Sequence, residues 1–341
     1  MRNPLRRVLA AAAAAALLVT AAACGGDDED TAAGGAPSKI VIGYQQIPNG
    51  DLVVKHNKWL EEAFGSDTTI EWKLFDSGGS VNEAIQAGSV DIGLVGSSPA
   101  SRGISSGIKY RVPWIFDVIG DAEALVVKGG LTDVKSLKGK TIATPFASTS
   151  HYSLLAALQK AGLDSKSVKV IDSEPDAILA AWTRGDIDGA YVWNPVLAKL
   201  LADGGKTLVS SAELAKEGKT TYDLGVVTDE FAEKYPDAVK TWVAQQDKAV
   251  TLIKDDPTAA SEAIAAELSI TPAEAKAQME DLIFVNAADQ AGDEYLAGGL
   301  PDNLFATAEF NKELGEITTV RAEKAYDDAV DESFAKSVPK S

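Results

Sequence analysis

Two stretches of this chain, about a hundred residues apart, carry the same unit. Residues 72–99 read WKLFDSGGSVNEAIQAGSVDIGLVGSSP, and residues 168–195 read VKVIDSEPDAILAAWTRGDIDGAYVWNP. Each is a strand, then Asp-Ser, a helix, Gly-x-x-Asp, and a second strand ending before Pro. Asp76-Ser77 corresponds to Asp172-Ser173, Gly88 to Gly185, and Asp91 to Asp188. The preceding segments, 39–65 and 140–162, also match as strand, polar turn, amphipathic helix and Gly. A period of about 100 residues is too long for a solenoid. It predicts an α/β protein of two similar lobes, each a mainly parallel sheet built from βαβ crossovers and flanked by helices, with a hinge between them.

Local signals fit this plan. Gly88 and Gly185 follow apolar helix faces as stop signals, and Asp91-Ile92-Gly93-Leu94-Val95 and Asp188-Gly189-Ala190-Tyr191-Val192 are short runs of the buried-strand type. Beyond Asp229 the spacing predicts helices over 231–253, 257–268 and 272–282, with Pro near their starts. Asp91 and Asp188 recur as turn-forming residues.

The ends of the chain indicate its compartment. Arg2, Arg6 and Arg7 form a basic start, and residues 8–19 an apolar run too short to span a bilayer at about 20 residues. Ala21, Ala22 and Ala23 lead to Cys24, the only cysteine. This reads as a secretory signal over 1–23 whose end is similar to a lipobox, with Cys24 lipidated; the alternative is an ordinary leader that contains a Cys. After Cys24 the chain continues over 25–38 as GGDDEDTAAGGAPS, and residues 24–37 form an acidic, apolar-poor tether that holds a domain roughly 20 Å from its lipid. With one Cys, no disulfide forms within the chain. The leader holds three arginines and no acidic residue, so its loss takes the net charge from −18 to −21. Such an acidic surface argues against nucleic acid and anionic lipid as partners.

Open parallel sheets bind ligands at the carboxyl ends of their strands. In the first lobe those ends carry Gln45, Asp76, Ser77, Ser97 and Ser98; in the second they carry Ser148, Thr149, Ser150, His151, Asp172, Ser173, Trp193 and Asn194. The crossings between lobes fall near 121–124 and 221–225. The run from Ser148 to His151 enters a helix whose apolar face is Leu154, Leu155, Leu158 and Ala161, with Gly162 ending it. One hydroxyl there caps an amide. Three hydroxyls beside exposed amides also make a neutral cradle for an anion. A catalytic reading lacks its parts. Ser150 and His151 are adjacent on a helix and do not face each other, and the other histidine, His56, is on the first helix of the other lobe. Two His and one Cys make a poor metal site. No cofactor is expected.

The segments FDSGGSVNEAIQAGSVDIGLVGSSPA, FASTSHYSLLAAL and AAWTRGDIDGAYVWNP resemble the matching segments of taurine-binding proteins of bacterial ABC importers. These belong to a wider family that binds alkanesulfonates, nitrate and related solutes. The resemblance runs from about Lys39 to the C-terminal region and is strongest over 75–193. It implies a type II periplasmic-binding-protein-like fold, with lobe 1 over 38–122, lobe 2 over 123–222, and a return to lobe 1 with C-terminal helices over 223–341. It implies a binding protein rather than an enzyme, and a monomer. That protein is exported and lipid-anchored at the outer face of the cytoplasmic membrane, where it delivers taurine to an ABC permease and its ATPase. A plain alkanesulfonate or another small anion, such as nitrate, is the alternative ligand. An exported enzyme using Ser150 or His151, and a surface adhesin or sensor, are the readings from other classes.

Taurine is a zwitterion, so its site also needs an acceptor for an ammonium. The resemblance tips Asp223, in TTYDLGVV, from a strand-end turn to that role. Asp76 is the second candidate, with a helix cap as its other reading. Trp193 is either a cavity wall against the ligand or a core residue, and His151 either a donor to a ligand oxygen or an ordinary core or surface side chain. Two departures stand out: Ser150 occupies a position where a second Thr is expected, and Gly225 one where relatives often place an aromatic, which predicts a looser wall.

Overall fold

The computed structural model describes residues 35–164 and 166–339. Cys24, the leader and most of the tether lie outside the described residues. In chain order the strands are β1 (Lys39–Tyr44), β2 (Thr69–Leu74), β3 (Ile92–Gly96), β4 (Tyr110–Ile119), β5 (Glu123–Val127), β6 (Thr141–Thr144), β7 (Lys169–Asp172), β8 (Gly189–Trp193), β9 (Lys206–Ser210), β10 (Thr221–Thr228) and β11 (Leu282–Ile283). They form two sheets, ordered β11-β4-β10-β3-β1-β2 and β7-β6-β8-β5-β9. Helices flank both.

The duplicated unit is visible in the pairing. In the first sheet β2, β1 and β3 are parallel neighbours, and in the second β7, β6 and β8 repeat the arrangement. The repeated Gly-x-x-Asp pins each trio. Asp91 Oδ2 accepts from Val41 N at 2.7 Å, and Asp188 Oδ2 accepts from Thr141 N at 2.9 Å. Each aspartate also donates its own N–H to the carbonyl of that same residue.

The sheets are mixed rather than mainly parallel. Strands β4, β10 and β11 pair antiparallel in the first sheet, and β5 and β9 in the second. The reason is connectivity. The chain leaves the first sheet along β4 and enters the second along β5 after only three residues, and a crossing that short cannot carry a helix. It returns after Ser210 through the short helix Ser211–Ala215 to β10. Strand β10 lies between β3 and β4, so Asp223 sits inside the first sheet rather than on a crossing segment.

The C-terminal part is helical as expected, with breaks where proline removes an N–H donor. Helices Asp229–Lys234 and Pro236–Asp255 replace one predicted span, followed by Pro257–Leu268 and Pro272–Met279. Leu282 and Ile283 leave the helix and edge β4 as β11. Gly225 does not loosen a wall. A Cβ there would meet the Trp242 ring at 2.3 Å, so that indole already fills the space an aromatic at 225 would take.

Beneath the first sheet, buried Asp51 faces buried Gln246. Gln246 Nε2 donates to Asp51 Oδ1 at 2.8 Å, while Asp51 Oδ2 and Gln246 Oε1 have no other partner. A protonated Asp51 supplies the missing donor, completing an acid–amide pair. Burial lifts its pKa from 3.8 to about 7, against smaller lowering by Gln246 and Lys55. Because the folded value is the raised one, this contribution to stability is full below about pH 4 and is lost as pH rises toward about 7. The loss is at most about 4 kcal/mol. Asp51→Asn keeps both hydrogen bonds without the charge. In urea denaturation it is expected to match the parent at about pH 4 and exceed it at about pH 8; equal slopes against pH for the two proteins would contradict the pairing.

Candidate functional site

A cavity lies between the two sheets where their strands end. Its volume, traced by the centre of a water-sized sphere, is about 20 Å³. That is room for about one water molecule, so the lobes are drawn together at this point. Three helices open onto it through their N-termini. Gly78 begins the helix Gly78–Gln86, Gly96 is the N-cap of Ser97–Ser106, and Ser148 is the N-cap of Thr149–Lys160; all three residues line the cavity. The first amides of a helix lack intrahelical acceptors, and each N-terminus carries roughly half a positive charge. Their convergence makes one part of the cavity attractive to an anionic group.

The other part is made by carboxylates. Asp223 on β10 and Glu123 at the start of β5 both line the cavity. Glu123 is fully buried and saturated. Its Oε2 accepts from Thr149 at 2.6 Å and Ser150 at 2.8 Å, and its Oε1 from Ser211 at 2.7 Å and Ser153 at 3.3 Å. Burial raises its pKa more than these hydroxyls lower it. Behind Asp223, buried Asp117 of β4 is its register partner. Asn49 Nδ2 donates to Asp117 Oδ2 at 3.1 Å, and Asn49 Oδ1 accepts from Asp51 N at 3.1 Å. Burial, first, and the charge on Glu123 push Asp117 up to about 7, against the bonds from Asn49 and Asp223. Asp223 is raised well above the usual carboxylate range, by burial first and then by Asp117 and Glu123.

The sequence-predicted residues divide into those brought to the cavity and those placed elsewhere. Gln45, Ser148, Thr149, Trp193 and Asp223 line it. Gln45 Nε2 donates to Leu94 O at 2.9 Å. The hydroxyl cradle has a different occupant from the one expected, because Thr149 and Ser150 spend their hydroxyls on Glu123. The Ser148 hydroxyl donates to Pro145 O at 2.6 Å and accepts from His151 N at 3.1 Å as the helix cap. What this helix offers an anion is its amides. His151 turns away from the cavity. It stacks on Phe146 at 4.4 Å, its Nδ1 accepts from Ala147 N at 3.4 Å, and burial, helped by the Arg102 charge and opposed by that of Glu316, lowers its pKa to about 4. Ser97 Oγ accepts from Tyr222 N at 3.2 Å, and the buried Ser98 hydroxyl has no partner; neither lines the cavity. Ser77, at the N-cap of its helix, donates to Glu174 Oε1 of the other lobe at 3.1 Å. Asp76 lines an adjoining groove with Gln46 and Glu174, and its repeat partner Asp172 accepts from Phe146 N at 2.8 Å, so the expected helix cap is at neither aspartate.

Glu123, Asp117, Asn49 and Asn194 are the residues that sequence reasoning gave no role. Asn194 lines the cavity, donates to Asp281 Oδ2 at 3.2 Å and accepts from Ala198 N at 3.1 Å. A signal existed for the two acids. Asp117 is a lone carboxylate inside YRVPWIFDVI, and Glu123 opens EALVV; a charge in an apolar strand has to be paired or functional. Among the described residues, no group of three or more His, Cys, Asp or Glu is arranged to hold a metal ion.

The profile of the NMT1-like family matches residues 34–269. The chain belongs to that family. A taurine-binding periplasmic protein of Escherichia coli strain K12 is 45% identical over 177 residues, covering 52% of this chain and 55% of that protein. The match thus spans about half the length of that relative. The alkanesulfonate-binding protein SsuA from Xanthomonas axonopodis pv. citri, solved with MOPS bound, superposes with a TM-score of 0.72 at 22% identity, over 84% of this chain and 96% of that one. The periplasmic aliphatic sulphonate-binding protein SsuA from Escherichia coli gives 0.69 at 21%, over 85% and 92%. At such identities the likeness is one of fold, and the fold is the two-lobe α/β architecture described above.

Removing the Glu123 carboxylate leaves four buried hydroxyls without their acceptor. Glu123→Ala is expected to lose about 3 kcal/mol of stability in urea denaturation, and Glu123→Gln, which keeps one acceptor oxygen, clearly less. Equal stability of Glu123→Ala and the parent would show that the four hydroxyls do not depend on it.

Proposed function

We propose that this protein is the extracytoplasmic solute-binding component of an ABC importer and that it captures taurine, 2-aminoethanesulfonate, in the cavity between its lobes. The observation that carries this reading is the polarity of the cavity. Helix N-termini at Gly78, Gly96 and Ser148 face one part, carboxylates Asp223 and Glu123 another, and no lysine or arginine is among the residues lining it. A plain anion would sit beside two carboxylates with no cation to offset them, which is costly at low dielectric. A zwitterion supplies both missing charges itself. The sulfonate lies against the helix ends and the ammonium against Asp223, with Trp193 beside the ligand. The relative that binds taurine supports the same choice.

In this reading the leader over 1–23 directs export, a lipid on Cys24 holds the monomer at the outer membrane face, and the ligand-closed form is handed to the permease and its ATPase. The role in this reading is binding and not catalysis: the Thr149 hydroxyl beside Glu123 is one of four that saturate that carboxylate, and His151 stacks on Phe146 away from the cavity. One observation favours a second ligand class. Burial keeps Asp223 protonated more readily than an ordinary carboxyl, and a neutral acid can donate to an alkanesulfonate or nitrate.

Isothermal titration with taurine, ethanesulfonate, nitrate and MOPS separates these. Taurine is expected to bind one to one and the others far more weakly. Asp223→Asn is expected to lower taurine affinity by on the order of a hundredfold, equivalent to about 3 kcal/mol, and to leave ethanesulfonate little changed. A preference of the parent for ethanesulfonate or nitrate would remove the ammonium from the reading.

A further inference from the structure

We propose that Asp117, which does not line the cavity, shares one proton with Asp223 in the empty protein, and that the ligand's ammonium displaces this proton to solvent. The inference rests on the taurine reading for its ligand and on the structure for its proton. Asp117 and Asp223 are register partners on adjacent antiparallel strands, and both are buried. Asn49 occupies Asp117 Oδ2. Asp117 Oδ1 is buried without a hydrogen-bond partner, and residues directly opposite on antiparallel strands carry their side chains on the same face with Cβ atoms about 5 Å apart. Two buried carboxylates in contact cannot both stay ionised without a cation, so one proton remains between them.

The surroundings supply no such cation. On β3 the register neighbour of Asp223 is Gly96, and β11 brings Leu282 alongside β4. The loop before the first helix brings the neutral amide of Asn49. The Asp51 linked to that amide is held by Gln246. The remaining charged group acting on the pair is Glu123 from β5, which is negative and adds to the pressure to retain the proton.

An incoming ammonium changes this balance. Its charge takes the place of the shared proton, both carboxylates ionise, and the ammonium keeps all three of its own protons. One proton passes from the carboxyl pair to water, so charge and atoms balance. Asp117 therefore acts as a positioning residue. It keeps Asp223 aimed and neutralised until a cationic group arrives, and it makes affinity rise with pH while the pair still holds the proton. An anion without an ammonium has nothing to offer the pair.

The test is titration of the protein with taurine at about pH 7 in phosphate and in Tris, whose ionisation enthalpies differ. The expected difference in heat corresponds to release of about one proton per taurine. Identical heats in the two buffers would overturn the proposal. In Asp117→Asn, Asp223 keeps the rise due to burial and Glu123 but loses that due to Asp117, so proton release per taurine is expected to fall and to end at lower pH; release unchanged from the parent would overturn the assignment to this pair. Carboxyl carbon NMR titration of the empty parent protein decides the matter without ligand. One of the two carboxyls is expected to stay protonated above about pH 6, and ionisation of both below about pH 5 would sink the idea. Absence of any heat with taurine would remove the ligand reading, and the carboxyl titration would still decide whether the proton is shared.

Discussion

A carboxylate shut away from water must find its hydrogen bonds inside the protein, and Glu123 finds four. Thr149, Ser150 and Ser153 come from one helix and Ser211 from the segment that leads back to the first lobe. Glu123 itself begins β5, three residues after the chain has left β4. One side chain therefore ties together the outgoing crossing, the start of the returning one, and the helix whose N-terminus faces the cavity. An ionised carboxylate accepts about four hydrogen bonds, so no hydroxyl is left over. The stretch Ser148–Ser153 is rich in hydroxyls because an internal anion needs them.

The two halves of the cavity have separate origins in the chain. The duplicated unit supplies the electropositive half. Gly78 and Gly96 belong to the first copy, Ser148 opens the helix of the segment that precedes the second, and each helix starts where a parallel strand ends. The strands outside the repeat supply the electronegative half. Asp117 is on β4, Glu123 on β5 and Asp223 on β10, the antiparallel strands that carry the chain between sheets. Duplication alone would give a pair of lobes suited to anions. The crossing strands add carboxylates at the junction and turn it toward a solute that carries both charges.

Legibility in the sequence followed the same division. The repeat made the two lobes and their parallel trios readable, because identical spacing at two places is a long-range statement; it marked Asp91 and Asp188 only as turn formers, and their bonds to Val41 N and Thr141 N on the neighbouring strands were not readable. Helix starts at proline and the Ser148 cap were readable from local chemistry. The antiparallel strands were not, since an apolar run carries no mark of direction. The partners of Thr149 and Ser150 were hidden for a related reason. Glu123 lies 26 and 27 residues away from them, and only the folded β5 brings it under the helix. His151 was misplaced because position in a motif does not fix which way a helical side chain faces, and here stacking on Phe146 settles it. Gly225 was read as a vacancy when Trp242, from a helix beyond the repeat, fills it.

Closeness between the lobes is built into the backbone at the cavity. A Cβ on Gly96 would meet Thr149 Cγ2 of the other lobe at 2.6 Å, and one on Gly78 would meet Pro99 at 2.7 Å. Glycine at 96 lets two helix N-termini from different lobes approach the same small volume, where their partial charges add. Side chains hold the approach on either flank. Ser77 donates to Glu174 on one, while Tyr152 packs edge-on against Phe310 at 5.1 Å and Gln159 donates to Glu313 at 2.9 Å on the other. None of these contacts passes through the cavity. The lobes thus have attractions of their own, and under the proposed reading a solute need supply only the remaining part of the closing free energy.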